Sequence, residues 1–192
     1  MIGEIGFEPD VMRIIGGQYK GRRLKAPEGL SLRPTSDRLR ETFFNVVAGR
    51  VEDSHFLDLC AGSGAIGIEA LSRGAAQVTF IDQSRRAHQV ISDNLAHCGI
   101  TSDVKLVNRD ALTALKYYAA HGLQFDLIYF DPPYDSGIYS PVMFLLGTRG
   151  LVTPGGLVVA EHRRKDNLAT DYGELQRSRV LNQGDSALSF YK

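Results

Sequence analysis

From His55 onward the chain repeats one rhythm: a short apolar run, a turn, then a helical stretch. Apolar runs at His55–Leu59, Gln77–Ile81, Val104–Val107, Phe125–Phe130 and Leu157–Glu161 alternate with helical patterns at Ala65–Arg73, from Ser84 to Cys98, from Asp110 to about Ala120, and briefly before Gly155-Gly156. Alternation of this kind builds a mostly parallel sheet with helices over both faces. Ser84 can cap its helix, and Gly74 and Gly99 are placed as C-terminal stops. The tail differs. Arg177–Leu181 and Ala187–Tyr191 flank Gly184-Asp185 and read as an antiparallel hairpin closing the sheet edge. The expected fold class is therefore α/β: seven strands, mostly parallel, with that C-terminal hairpin and a small N-terminal hairpin/helix extension.

The extension is Met12 to about Gly49. Met12–Pro27 alternates apolar and basic pieces around Gly16-Gly17 and Gly21, as a β-hairpin or meander would. Thr35 or Ser36 can cap a helix in which Leu39, Phe43, Val46 and Val47 share one face and which Gly49 should end. The charge is concentrated here. The whole chain has net charge zero, yet residues 13–50 carry +6, against −3 for residues 1–12 and −3 for residues 51–192. Such a patch suits a polyanion, or is simply a solvated face. With 43% hydrophobic and 23% charged residues the chain is too apolar to be disordered. It has no apolar run of about 18 residues, the length a membrane helix needs, and Met1 to Val11, with Glu4, Glu8 and Asp10, do not read as a signal peptide. Cys60 and Cys98 are too few for a disulfide framework or zinc cluster, and His55, His88, His97, His121 and His162 lack metal spacing. A reducing, cytoplasmic location and no metal are expected.

Ligands of open α/β sheets bind beyond the carboxyl ends of the strands. Four successive strand ends here present an acid: Asp58, Asp82, Asp110 and Asp131. The first opens a glycine turn, Asp58-Leu59-Cys60-Ala61-Gly62-Ser63-Gly64-Ala65-Ile66-Gly67, whose backbone can approach a ligand closely. The glycine pattern also fits a dinucleotide. Asp58 favours S-adenosylmethionine, because a carboxylate there can accept from an α-amino group and would repel a pyrophosphate.

Asp131-Pro132-Pro133-Tyr134 is the sharper signal. The prolines stiffen the loop and remove two N–H groups. The Pro132 carbonyl and an ionised Asp131 are then two acceptors for the two hydrogens of an exocyclic amine, with Tyr134 a flat surface for an unstacked base. Pulling on both N–H groups favours a pyramidal nitrogen and aims its lone pair at an electrophilic methyl.

DLCAGSG followed by DPPY resembles the class I S-adenosylmethionine-dependent amino-methyltransferases. Residues 12–192 resemble one family among them, the bacterial RsmD-type 16S rRNA guanine methyltransferases. That likeness rests on MRIIGGQYKGRRLKAP at 12–27, RPTSDRLRETFFN at 33–45, LDLCAGSGAIGIEALSRGA at 57–75, DPPY and GDSALSFY at 184–191. Cys60 departs from the Phe often seen at its position, and residues 1–11 lie outside the match and are expected to be flexible. The resemblance implies a Rossmann-like class I methyltransferase fold, with residues 12–50 a basic extension and residues 51–192 the cofactor-binding catalytic domain. The implied reaction is methyl transfer from S-adenosylmethionine to the 2-amino group of a guanine in small-subunit rRNA. Asp58 and the backbone of Gly62, Ser63 and Gly64 would hold the methionine part, Asp82 the ribose, and Asp110 with the backbone at Arg109 the adenine amino group, with Ala61 and Gln83 also at the cofactor. Asp131, Pro132 and Tyr134 would present guanine. Thr35 and Arg38 would close the cofactor site, although Arg38, like Arg40, is equally suited to RNA phosphate. Lys20, Arg22, Arg23, Lys25 and Arg33 would bear on RNA within a small ribosomal subunit or its precursor, the enzyme acting as a monomer. The alternatives are an adenine or glutamine-amide target, an NAD(P)-dependent oxidoreductase, which leaves DPPY unexplained, and a non-catalytic ribosome-assembly factor.

Overall fold

The computed structural model describes residues 12–26 and 37–192. Arg33, Thr35 and the segment 1–11, given expectations above, lie outside the described residues. The elements run α1 (Asp37–Val51), β1 (His55–Leu59), α2 (Ala65–Ser72), β2 (Gln77–Ile81), α3 (Arg85–His97), β3 (Val104–Val107), α4 (Ala111–Ala120), β4 (Phe125–Phe130), α5 (Tyr139–Thr148), β5 (Val152–Arg163), β6 (Asp171–Tyr172), β7 (Leu175–Gln183) and β8 (Ser186–Tyr191). They form one sheet in the order β3-β2-β1-β4-β5-β8-β7-β6. The first five strands pair in parallel, and β8 and β7 return antiparallel.

Period-two alternation sorts the strand side chains to two cores. On β4, Leu127 and Tyr129 join Phe56, Val78, Phe80 and Val159 beneath α1, α2 and α3. Ile128 and Phe130 join Leu57, Leu59, Ile81 and Val158 beneath α4 and α5. Helix α2 lies so close to the sheet that a Cβ on Gly67 would stand 2.2 Å from a ring carbon of Phe80. Helix α1 runs against the strands. Its last turn reaches the start of β5, where Arg50 donates to the Gly155 carbonyl (2.8 Å), so its first turn lies at the carboxyl edge of the sheet.

Four expectations change. The sheet has eight strands, not seven. Gly147 on α5 has no Cβ, and one would sit 1.6 Å from the Tyr172 carbonyl oxygen. The chain after β5 can therefore lie against α5 and add β6. Helix α1 does not stop at Gly49: Val47 and Val51 are both buried, and the turn comes at Asp53, which takes a left-handed φ of 59°. Strand β5 starts at Val152 and absorbs Gly155-Gly156 as an irregularity in its pairing with β4. Among the described residues the N-terminal hairpin has a single bridge, Arg13 to Arg23, because the Ile15 and Gly16 N–H groups donate to the Glu69 carboxylate (2.7 Å each) instead of to a partner strand.

Candidate active site

The strand order reverses between β1 and β4, and the chains leaving these neighbours define a crevice. The glycine turn leaves β1 while Asp131 leaves β4, its N–H donating to the Leu59 carbonyl (3.2 Å). Residues 60 and 131 are thus side by side. The turn is built from left-handed backbone at Cys60 (φ 67°), Gly62 (φ 56°) and Gly64 (φ 76°). A Cβ on Gly62 would meet no atom within 4 Å, so the cradle is open on that side. Cys60 and Ala61 donate to the Ile81 carbonyl (2.9 and 3.0 Å), fixing the turn to the end of β2.

Asp82 fastens the same turn from its other side. One carboxylate oxygen accepts from Gly62 N–H (2.9 Å), and the other from Ser84 N–H at the start of α3 (2.8 Å). Asp58 points inward and is 2% exposed; it accepts from Gly67 N–H at 2.9 Å. Burial pushes its carboxyl up to about 8, the nearby Asp82 charge adds to the rise, and the Gly67 N–H works against it. The structure therefore gives Asp58 a bracing contact with α2 in addition to any expected for a ligand. Asp110 caps α4 through Thr113 N–H (2.9 Å), which holds its carboxyl below the usual range; it remains exposed, as do Arg109 and Gln83.

On the far side of the crevice, Pro132 is buried and Tyr134 half-buried. The Tyr134 hydroxyl meets Ser186 Oγ at 3.1 Å, and the Arg163 guanidinium lies 4.9 Å from its ring centroid. Arg163 also grips Asp135 with two bonds of 2.8 Å. Beneath them, Tyr129 donates to a Glu161 carboxylate oxygen (2.6 Å) and Tyr139 to the Glu161 carbonyl (2.8 Å). Burial raises both phenols, and the Asp131 charge adds to the rise.

The basic arm is only partly at this edge. Arg38 is exposed on the first turn of α1, at the carboxyl edge. Arg40 does not face solvent, contrary to the phosphate contact expected of it. It is 0% exposed, 2.7 Å from Asp37, and donates to the Arg13 carbonyl, because its position on α1 falls next to the buried Leu39 and Phe43. Lys20, Arg22, Arg23 and Lys25 are exposed. The hairpin tip lies against the far ends of α2 and α3: Gln18 N–H donates to the Ser72 carbonyl (2.8 Å) and Arg22 to the Cys98 carbonyl. Helices α2 and α3 start at the carboxyl edge, so Lys20 and Arg22 are not brought to Asp131. Lys25 lies 3.8 Å from Asp93.

Two buried polar residues escaped the sequence reading. Asn94 (1% exposed) donates to the carbonyls of Ser63 and Lys25 (3.0 Å each) and accepts from Lys25 N–H (2.8 Å), tying the arm to the glycine turn. Glu69 (0% exposed) holds Ile15, Gly16 and Arg73. Their signal was a polar residue on the apolar face of a helix: Asn94 follows Ala87 and Ile91 at helical spacing, and Glu69 sits among Ile66, Ile68 and Leu71.

Five parallel strands in this order, a glycine turn after the central one and an antiparallel return define the class I methyltransferase fold. The chain belongs to the family described as Conserved hypothetical protein 95, whose model matches residues 12–192. It is similar to Ribosomal RNA small subunit methyltransferase D of Escherichia coli strain K12, 39% identical over 174 residues that cover 90% of this chain and 86% of that one. It is 36% identical to the YlbH protein of Bacillus subtilis strain 168, over 94% of this chain and 98% of that one. Among solved structures, the yhhF protein of Escherichia coli superposes with a TM-score of 0.80 at 35% identity, over 94% and 97% of the two chains.

Proposed function

We propose that this chain transfers a methyl group from S-adenosylmethionine to the exocyclic 2-amino group of a guanine in small-subunit ribosomal RNA. The observation that supports it most is the adjacency of Asp131 and the glycine turn across the β1–β4 crevice. The residues fit the donor: an open cradle at Gly62, a carboxylate at Asp82 and exposed groups at Gln83, Arg109 and Asp110. When bound, S-adenosylmethionine supplies an electrophilic methyl on a sulfonium. The chain's own groups do the rest. Asp131 and the Pro132 carbonyl accept from the two hydrogens of the amine, and no described residue donates to that carbonyl. Together they hold the nitrogen at about 3–3.5 Å from the methyl carbon. The Asp131 carboxylate offsets the positive charge that grows on nitrogen as the N–C bond forms. Tyr134, its ring 4.9 Å from the Arg163 guanidinium, is the flat surface on which the base lies. Residues 12–50 act as an RNA-side extension of the catalytic unit at 51–192, and the chain works as a cytoplasmic monomer.

Labelled-methyl transfer to small-subunit particles from a strain lacking the endogenous enzyme, followed by nucleoside mapping, tests this. The expected product is N2-methylguanosine. Asp131→Ala should lower kcat by roughly 10²–10³-fold, the usual cost of removing one transition-state contact, while S-adenosylhomocysteine still raises the melting temperature and NADH does not. Full activity of Asp131→Ala would overturn the role given to that carboxylate, and stabilisation by NADH alone would overturn the donor.

A further inference from the structure

Beside the tetrapeptide lies a recess of about 580 Å³ that none of the residues assigned above explains, Tyr134 excepted. It is lined by Tyr134, Arg163, Arg164, Lys165 and Asp185. Its basic wall is the turn leaving β5. Two backbone bonds fix that turn: Arg164 N–H donates to the Asp185 carbonyl at 2.7 Å, and Asp166 N–H to the Arg163 carbonyl at 2.9 Å. The three cations differ in what they already hold. Arg163 is committed to Asp135 and to the Tyr134 ring. Arg164 and Lys165 are exposed, and neither side chain makes a hydrogen bond or ion pair among the described residues.

A recess that shares a wall with the ring meant for the base, and carries two exposed cations on a turn fixed by backbone bonds, suits an anion covalently attached to that base. We propose that Arg164 and Lys165 form a subsite for the backbone phosphate flanking the nucleotide presented at Asp131 and Tyr134. The inference rests on the reading under Proposed function and adds the group that positions the substrate strand. Asp185 offsets part of the basic charge, so the recess takes one phosphate rather than a long polyanionic track. Phosphate contacts of this kind set register and carry a salt-dependent share of the affinity.

The test is steady-state methylation of the same small-subunit particles at several salt concentrations, comparing wild type with Arg164→Ala/Lys165→Ala and Arg164→Glu/Lys165→Glu. The alanine pair should raise KM for particles about tenfold. It should also flatten the dependence of log(kcat/KM) on log salt by about 0.7 unit, the value for one lost single-strand phosphate contact. The glutamate pair should raise KM further. Melting temperature and S-adenosylhomocysteine affinity serve as folding controls and should match wild type. Unchanged KM and salt slope in the alanine pair, with wild type active, would refute the subsite. A raised KM with an unchanged slope would refute it too, since the contact would then not be ionic. A wild-type protein that transfers no methyl to any particle would instead sink the proposed function, and the subsite with it.

Discussion

Asp58 is buried against the N-terminus of α2 and pushed up to about 8 from an ordinary value of 3.8. Between those two values the folded protein binds a proton that the unfolded chain has released, so stability falls as pH rises through the window. The slope contributed is at most about 1.4 kcal/mol per pH unit. Asp58→Asn should remove that component, and denaturant unfolding of both proteins from pH 5 to pH 8 measures it. Equal slopes would mean Asp58 stays ionised. A cation brought near would favour the charged form and reverse the penalty, which suits a site built for a sulfonium bearing an α-amino group. Cys60 is the neighbour of all this charge. Burial raises its thiol, and Asp82, Asp131 and Asp58 raise it further. Its sulfur therefore stays protonated and is a poor nucleophile.

The elements show where sequence pattern sufficed. Strands β1 to β4 have the bounds their apolar runs implied, since a strand covered on both faces leaves little choice of residue type. Ser84 caps α3 through Ala87 N–H (3.2 Å), as its position before the helix suggested. Strand β6 was not legible, because two residues carry no period and their pairing depends on the missing Cβ of Gly147, far away in sequence. The acids at the strand ends were legible as a group. Which of them faces a ligand and which braces the turn depends on hydrogen-bond partners from other elements, as with Asp82 and Gly62. Arg40 was misread for the same reason: its burial follows from where α1 docks, not from its neighbours in the chain. Helix α2 gives the sharpest test at this scale. Gly67→Ala must push aside the Phe80 ring, and overpacking of this kind costs about 1–3 kcal/mol. Chemical denaturation should show it, and an unchanged midpoint would mean that α2 is not seated so closely.

For the whole molecule, residues 12–26 are tied to the rest of the fold by polar contacts to Glu69 and Asn94 and by the buried side chains of Ile14 and Leu24, rather than by a strand ladder. Glu69→Ala would leave the Ile15 and Gly16 N–H groups and the Arg73 guanidinium without their acceptor. A cost of about 3 kcal/mol or more is expected from breaking a buried charged contact. Limited proteolysis should then cut within residues 12–26 before any other part of the fold, and uniform protection would show that the apolar contacts of Ile14 and Leu24 suffice. The path of this arm has a last consequence. Its tip at Lys20 and Arg22 rests on the far ends of α2 and α3, at least the length of α2, about 12 Å, from the glycine turn. A polyanion that engages both the tip and the Arg164–Lys165 recess must bend around the flank of the protein. An RNA body large enough to reach both should therefore be a better substrate than an oligonucleotide that fills the recess alone.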